Sequence, residues 1–517
     1  MENSRTQNTV KNSAASLLFR LSNMVVKFII RTAFIYLLGK EYTGVSGLFT
    51  DILTVMSLME LGLDGSMVYS LYKPLAEKDE KRVCNLMGFY KRAFHLIGVL
   101  VLVAGAALTP FLGYIVKDVP NIREDIRLIF MMYVVTSASS YFFVYRTVLL
   151  RANQQSRVLS KWSTIIGLAE CAVEVALLAL FRMFFLYLIV HLAATVTRNV
   201  IVTRIAIRTF PQYFREGEGL ARQEKRKLYR DLACICIYNM SGVVINSTDS
   251  IFISAFIGTV LVAIIGNFTL IISSLRHLVT QIVSATKDSI GNLVATSSAD
   301  KQVQVFNRMN FMAFWVACFC STCLFSLLNP FVGGIWFDTS YQVSMQIIAV
   351  LTANFFIAVM VFPVESFRGA NGLFVQGWFR PLVMAIMNIA LDFILGRMWG
   401  IFGIFIATTI SRLSTQVWYD PYLVFRTVFK KSVKKYYLLY AIYAAITAAS
   451  CIAAYLLGGA MPFRNFYLNF ICRLFVAVIV PNVFIIALFH RTEEFAYVRN
   501  IGKRALRKLA HRGRPAT

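Results

Sequence analysis

The strongest constraint on this chain is a series of about fourteen long, largely apolar blocks. Each contains about 20 or more residues, the length that an α-helix needs to cross a bilayer. Because backbone polar groups cannot stay unpaired in lipid, such spans are helical. The blocks lie near residues 12–38, 44–72, 93–116, 126–150, 160–181, 183–207, 232–257, 260–286, 309–331, 341–366, 377–397, 399–425, 436–458 and 465–489. The sequence therefore predicts an all-α polytopic membrane protein.

The composition agrees with this class and excludes a secreted disulfide scaffold. The chain is 58% apolar and 15% charged, whereas a soluble domain has roughly 25% charged residues. Its nine cysteines are scattered through the apolar blocks, so they are expected to act as small apolar residues. The first block is too long for a signal peptide and is expected to remain as the first span.

Basic residues are distributed unevenly between the two sides of the predicted membrane. If the N-terminus is cytoplasmic, loops on that side include eight Lys or Arg from Arg204 to Arg230 and eight from Arg491 to Arg514. The opposite loops contain seven: Lys40, Lys117, Arg123, Arg127, Arg182, Arg397 and Arg464. This asymmetry predicts that both termini are cytoplasmic. The net charge of +26 is therefore interpreted as topology and contact with anionic membrane lipids, with no nucleic-acid binding.

An internal repeat divides most of the spans into two sets of six. A shift of about 219 residues, varying by one, aligns four pairs: Gly39 with Gly258, GLFT at 47–50 with GNFT at 266–269, LTPFLGYI at 108–115 with LNPFVGGI at 328–335, and RAN at 151–153 with GAN at 369–371. An even number of spans per repeat predicts parallel halves with a cleft between them, an architecture suited to alternating access.

The repeat and the charge pattern together predict the domain organisation. The predicted segments are an N-lobe over 1–208 with spans one to six, a basic cytoplasmic linker over 209–231, a C-lobe over 232–425 with spans seven to twelve, spans thirteen and fourteen over 426–490, and a basic cytoplasmic tail over 491–517. The tail is expected to lie on the inner leaflet.

The first span carries three cations, Arg20, Lys27 and Arg31. At about 100° per residue their spacing puts all three within roughly a 40° stripe. A charge at the bilayer centre costs at least about 2.5 to 3.5 kcal/mol, so the stripe should face a wet cavity or partners rather than lipid. Two interpretations stay open: neutralisation by Asp51 and Glu60 of the second span, or at least one cation free for an anionic ligand.

Span seven adds polar residues at equivalent positions. The repeat aligns the three cations with Asn239, Asn246 and Ser250. Asp249 lies beside Ser250 in the chain, and Arg276 interrupts the apolar eighth span. Arginine offers paired donors to phosphate oxygens and lysine offers a point charge, so a pyrophosphate suits this set. An exporter of organic cations would instead want carboxylates and aromatic faces in its cavity.

Other ionisable residues inside the spans suggest ion coupling or internal pairing. Glu170 and Glu174 share a face of span five by their spacing of four. They could bind a proton or a sodium ion, or form a structural ion pair with Arg198 of span six. The histidines His95, His191 and His277 are expected to be core or interface residues rather than ligands.

Enzymatic activity is disfavoured, and no catalytic residue or metal ligand is predicted. The longest outer connection, from Tyr114 to Arg127, has about a dozen residues, which leaves little room for the catalytic loops of a membrane polymerase or ligase. The HExxH, GxxxxGK[ST] and paired CxxC patterns are absent from the sequence.

The opening NTVKNSAASLLFRLSNMVVKFIIRTAFIYLLGKEYTGVSGLFTDILTVMSLMELGLDGSMVYSLY, together with NSTDSIFIS in span seven and the RAN and GAN tripeptides, resembles bacterial polysaccharide exporters. These belong to the multidrug/oligosaccharidyl-lipid/polysaccharide flippase superfamily. The resemblance covers the chain as fourteen spans and two six-span lobes. The lipid II flippases also have fourteen spans, whereas multidrug extruders typically have twelve.

The resemblance implies a function, a substrate and a location. Members carry undecaprenyl-pyrophosphate-linked oligosaccharides from the inner to the outer leaflet of the bacterial plasma membrane, for capsule, cell-wall polysaccharide or exopolysaccharide. It implies a cavity role for Arg20, Lys27, Arg31 and Arg276, a polysaccharide polymerase as a candidate partner, and no cofactor beyond a coupling sodium ion or proton. A lipid II flippase and an ion-coupled multidrug exporter remain the alternatives.

Overall fold

A computed structural model describes residues 21–57, 63–117, 122–153, 155–215, 217, 219–284, 298–373, 375–460 and 465–500. Side chains at 63–66, 227, 229–241, 246, 281–284 and 375 are outside this description. Across the described ranges the chain is α-helical, with short 3₁₀ and π turns and no β-strand. The predicted all-α membrane fold is thus confirmed.

Nineteen helices occur in the described residues, numbered here in chain order. In the first half they are α1 (21–37), α2 (Lys40–Met56), α3 (Leu63–Ala76), α4 (Glu80–Leu108), α5 (Leu112–Ile115), α6 (Ile126–Val144), α7 (Thr147–Ala152), α8 (Ser156–Phe181), α9 (Phe184–Thr209), α10 (Arg222–Phe256) and α11 (Thr259–Ser284). In the second half they are α12 (Ala299–Pro330), α13 (Met345–Met360), α14 (Phe362–Ala370), α15 (Phe379–Ser414), α16 (Gln416–Val424), α17 (Lys434–Gly459), α18 (Phe466–Phe489) and α19 (493–500).

Ten helical stretches in the described residues are long and apolar enough to cross a membrane. One of them, Phe379–Phe429, covers two predicted spans and turns sharply at Gly400, whose φ of 60° and ψ of −136° lie outside the helical region. A Cβ on Gly403 would lie 1.9 Å from the backbone oxygen of Leu395, so the turn brings two backbones together where only glycine fits. The multi-pass membrane class is established, and the total of fourteen spans stays a prediction.

The chain divides into two compact units, Met1–Gly266 and Asn267–Thr517. In the first unit α6 packs against α4 and α9, and α8 packs against α9. In the second unit α12 packs against α13, α17 and α18. The most apolar window of α12 is 67% buried and that of α18 only 17%, so α12 is central and α18 peripheral. The orientation in the membrane and the predicted lobe boundaries stay predictions.

Two pairs of residues aligned by the internal repeat occupy similar local positions. Gly39 joins α1 to α2 with a φ of 97°, and Gly258 joins α10 to α11 with a φ of 143°. The Asn153 side chain donates to the Leu149 carbonyl at 2.9 Å, and that of Asn371 donates to the Phe367 carbonyl at 2.8 Å. In each case the asparagine ends a short helix, which supports the repeat at the level of backbone geometry.

Candidate functional site

The described part of the predicted cationic stripe lies on α1. Lys27 is exposed and forms no ion pair with any residue in the described ranges. Arg31, one turn further along, is half-buried and donates from Nη2 to the Ala263 carbonyl oxygen at 2.6 Å. The stripe therefore presents one exposed ammonium beside a guanidinium whose orientation is set by helix α11.

A glycine makes room for the Arg31 side chain. A Cβ built on Gly266 would lie 2.4 Å from Arg31 Nη2, closer than any real contact allows. Gly266 belongs to the GNFT segment that the repeat aligns with GLFT at 47–50. The guanidinium thus rests on the bare backbone of α11, within reach of a carbonyl.

Two predicted site residues lie close to Arg31. The Asp51 carboxylate of α2 lies near the Arg31 guanidinium and near the Ser250 hydroxyl of α10, and α2 packs against α10. Arg31 therefore has both a carboxylate and a carbonyl in its surroundings, while Lys27 has no carboxylate partner among the described residues. Of the two interpretations left open by the sequence, these contacts favour partial neutralisation, with Lys27 available for a ligand.

The remaining predicted residues lie elsewhere or outside the description. Arg20 and Glu60 fall outside the described residues, as do the side chains of Asn239 and Asn246. Asp249 is half-buried on α10, next to Ser250. Arg276 is half-buried on α11 in the second unit, where its guanidinium interacts electrostatically with Glu365 of α14.

A second polar cluster joins α8 and α9. His191 Nδ1 lies 2.8 Å from Glu170 Oε1 and 3.4 Å from Glu174 Oε1, and Arg198 Nη1 lies 3.7 Å from Glu170 Oε2. The Glu174 side chain is only 1% exposed, and its Oε2 has no hydrogen-bond partner among the described residues. The predicted pair of Glu170 with Arg198 is therefore present, and the cluster also includes His191.

The histidine connects this cluster to a cavity of about 290 Å³. The cavity is lined by residues of α2 and its C-cap, of α6 and of α9: Thr50, Leu53, Thr54, Ser57, Tyr133, Thr136, Ser137 and His191. His191 is 35% exposed, and its ring stacks on Tyr187 with centroids 5.9 Å apart. His191 thus stands between an accessible cavity lined by hydroxyl groups and two largely buried carboxylates.

The oxygen and nitrogen atoms of Glu170, Glu174 and His191 lie within 4.8 Å of one another, so the set is suited to binding a proton or a cation. With a neutral histidine the two carboxylates and Arg198 carry a net charge of −1, and with a protonated histidine the cluster is neutral. The guanidinium beside Glu170 weakens the attraction for a divalent metal ion, since it already supplies positive charge. The arrangement therefore best suits a single positive charge.

Sequence reasoning missed the role of His191. The spacing of seven between His191 and Arg198 puts both on one face of α9, just as a spacing of four does for Glu170 and Glu174 on α8. That signal was available in the sequence. The sequence did not show which face of α9 packs against which face of α8, because that depends on the packing of the two helices.

Neither a protein-family model nor a curated protein matches the sequence. Solved structures do match. The lipid II flippase MurJ in an inward closed conformation superimposes with a TM-score of 0.62 and 13% identity, covering 93% of this chain and 99% of that one. The chain shares the fold of this solved flippase.

Two multidrug transporters also superimpose on this chain. An inward-facing multidrug resistance MATE family transporter of the MOP superfamily gives a TM-score of 0.56 at 13% identity, over 77% of this chain and 95% of that one. The Vibrio cholerae MATE transporter VcmN, solved as a mutant, gives 0.56 at 13% identity, over 83% and 99%. The predicted all-α fold, shared with these transporters, is confirmed. The similar proteins are two multidrug transporters and a lipid II flippase.

Proposed function

We propose that this MOP-fold protein is a flippase that moves a polyprenyl-pyrophosphate-linked oligosaccharide from the cytoplasmic to the outer leaflet by alternating access. The observation that carries the proposal is the cationic face of α1, where Lys27 is accessible and Arg31 is held in place by α11. The similarity to a lipid II flippase supports a lipid-linked substrate. Capsule, cell-wall polysaccharide or exopolysaccharide would be the destination of the sugar.

Lys27 and Arg31 would bind the pyrophosphate. A guanidinium can donate two parallel hydrogen bonds to phosphate oxygens, and an ammonium adds a point charge with three donors. Because cations inside a bilayer are costly, a bound dianion would repay part of that cost in the loaded state. Arg20, Asn239, Asn246, Ser250 and Arg276 are proposed to complete the binding surface for the substrate headgroup.

The Glu170–Glu174–His191 cluster is proposed to bind the coupling ion. Its accessible histidine and buried carboxylates would take up one proton or one sodium ion from the adjacent cavity. The cluster's charge would then change between the two states of the transport cycle. The membrane potential, positive outside, would add about 2.3 kcal/mol per charge per 100 mV to the outward movement of an anion.

A multidrug exporter is the main alternative, because MATE transporters share the fold. A lipid II flippase is the other. The cationic α1 disfavours the exporter of organic cations, since such a ligand would be repelled by Lys27. The identity of the sugar separates the two flippase alternatives.

The proposal is tested by the distribution of lipid-linked oligosaccharides in a strain depleted of the protein. The strain is complemented with wild type or with the Arg20→Ala, Lys27→Ala, Arg31→Ala triple variant. We expect intermediates to remain on the cytoplasmic leaflet in the depleted strain and with the triple variant. Full export by a folded triple variant would overturn the cationic site, and unchanged intermediates with new sensitivity to organic cations would favour the drug exporter.

A matched control uses cations of similar exposure away from the stripe. Arg157 and Lys161 are exposed on α8 and have no ion pair among the described residues. The Arg157→Ala, Lys161→Ala variant should export normally, as should a charge-conserving Lys27→Arg variant. Equal loss in the control would show that reduced positive charge, and not the stripe, limits export.

The coupling proposal predicts that a Glu174→Gln variant loses the pH dependence of transport in proteoliposomes. Glutamine keeps the size of the side chain but removes its charge, so the cluster with a neutral histidine has no net charge and no longer attracts a proton or a sodium ion. A Glu493→Gln variant, at an exposed position of α19, serves as the control. Transport by Glu174→Gln with an unchanged response to both pH and sodium would exclude the cluster as the coupling site.

A further inference from the structure

The first unit contains another polar cavity, of about 540 Å³, at the end that is predicted to be cytoplasmic. Its walls are the start of α4, the junction of α6 and α7, the end of α9 and the connection from α9 to α10. None of the residues discussed for transport lines it. The cavity is therefore a separate feature of the unit.

Five cations line this cavity: Lys91, Arg92, Arg146, Arg215 and Lys225. No acidic residue is among its described lining residues, and none of the five forms an ion pair within the described ranges. Glu224, next to Lys225 in the chain, lies 3.1 Å from Arg82 instead. Two acids of the connecting loop, Glu216 and Glu218, fall outside the described residues. The described cavity is strongly positive, and so it favours a multivalent anion.

The connecting loop is fixed against α4 by specific contacts. The Gly219 amide donates to Asn85 Oδ1 at 3.0 Å, and the Cys84 thiol donates to the Gln212 carbonyl at 3.3 Å. A Cβ on Gly217 would lie 2.3 Å from Asn85 Oδ1, so a glycine is required for this close approach. The cavity is thus preformed by the fold.

The walls between the cations are aromatic. Phe89, Tyr145 and Phe214 line the cavity, and the Arg146 guanidinium lies 4.7 Å from the centre of the Tyr145 ring. The cavity lies near the start of α4, just before that helix becomes the apolar span near 93–116. A mixture of cations and apolar surface at this depth matches a phosphodiester attached to glycerol and acyl chains better than a fully hydrated free phosphate.

We propose that this cavity is a binding site for the headgroup of an anionic phospholipid of the inner leaflet. Arg92, Arg146 and Arg215 would donate to the phosphate oxygens, and Lys91 and Lys225 would add positive charge. The aromatic side chains would pack against the glycerol and the first methylene groups. The proposal is independent of the transported substrate.

The test is native mass spectrometry of the full chain in mild detergent, titrated with phosphatidylglycerol or with phosphatidylcholine. The Arg92→Gln, Arg146→Gln, Arg215→Gln variant is compared with a Lys301→Gln, Lys434→Gln, Lys435→Gln variant, which removes three exposed cations of the second unit. We expect the affinity for phosphatidylglycerol to fall by at least about tenfold in the cavity variant. It should stay at the wild-type value in the control, and phosphatidylcholine should bind weakly to all three proteins.

Any of the following outcomes would overturn the proposal. Equal loss in both variants would show attraction by overall charge, and no loss in the cavity variant would place lipid binding elsewhere. Displacement of phosphatidylglycerol by millimolar inorganic pyrophosphate, with pyrophosphate binding equally well to lipid-free protein, would identify a soluble anion as the ligand. If the triple cavity variant does not fold, the Lys91→Gln, Lys225→Gln variant applies the same test with fewer changes.

Discussion

Arg31 shows how a single cation can be kept inside an apolar protein. The cost of burying it is offset by the Ala263 carbonyl at 2.6 Å and by the nearby Asp51 carboxylate. Neither partner neutralises Lys27, which is exposed on the same helix. At this scale, small changes in the position of one guanidinium should alter ligand binding without affecting the fold.

A Gly266→Ala variant tests that statement. The new methyl group would lie 2.4 Å from Arg31 Nη2, so the flexible end of the arginine must move away from the Ala263 carbonyl. We expect export to fall severalfold while the melting temperature is kept or raised, because alanine in a helix interior is about 0.5 to 1 kcal/mol more favourable than glycine. Export and thermal unfolding of the purified variant are measured together.

Gly167 on α8 supplies the control, because a Cβ there would meet nothing within 4 Å. A Gly167→Ala variant should export at the wild-type rate. Wild-type export by Gly266→Ala would show that the Arg31 position does not matter for transport. A large loss of stability in Gly266→Ala would instead mean that the glycine is needed for helix packing.

Between elements, the second unit depends on a buried ion cluster. Asp420 of α16 lies 2.8 Å from Arg368 of α14 and 3.3 Å from Arg380 of α15. Their side chains are 0%, 1% and 4% exposed. One carboxylate thus ties together three helices that are separated along the chain by short turns.

We predict that Asp420→Asn destabilises the protein by about 3 to 5 kcal/mol, since it leaves two buried guanidinium groups without their shared carboxylate. The measurement is thermal unfolding of detergent-purified protein, with the folded fraction checked by size-exclusion chromatography. Asp300→Asn is the control: Asp300 pairs with Lys431 at 2.6 Å, but its side chain is 84% exposed, so its loss should change the melting temperature little. Similar melting temperatures for the two variants would refute the role of the buried cluster.

For the whole molecule, the distribution of basic residues predicts the orientation in the membrane. Position 222, the first residue of α10, should be cytoplasmic, and position 123, before α6, should be external. A membrane-impermeant maleimide added to intact cells should therefore label an Arg123→Cys variant and leave an Arg222→Cys variant unlabelled. The described native cysteines are buried or half-buried, so the wild-type chain supplies the background, and the reverse labelling pattern would overturn the predicted orientation.

The sequence by itself determined the membrane class, the all-helical fold and the polar faces of single helices. These follow from local geometry: apolar length sets a span, and a period of about 3.6 residues sets which side chains share a face. The alignment of Gly39 with Gly258 and of Asn153 with Asn371 was likewise visible in the sequence and reappears as shared backbone structure.

Only the tertiary structure decided which faces meet. Three contacts each join residues of different helices: His191 with Glu170, Arg31 with the backbone at Gly266, and Asp420 with its two arginines. The rotation of a helix about its own axis and the choice of its neighbour depend on side-chain packing over its whole length. No periodicity within one helix contains that information, so the partners of the charged groups became apparent only once the helices were packed.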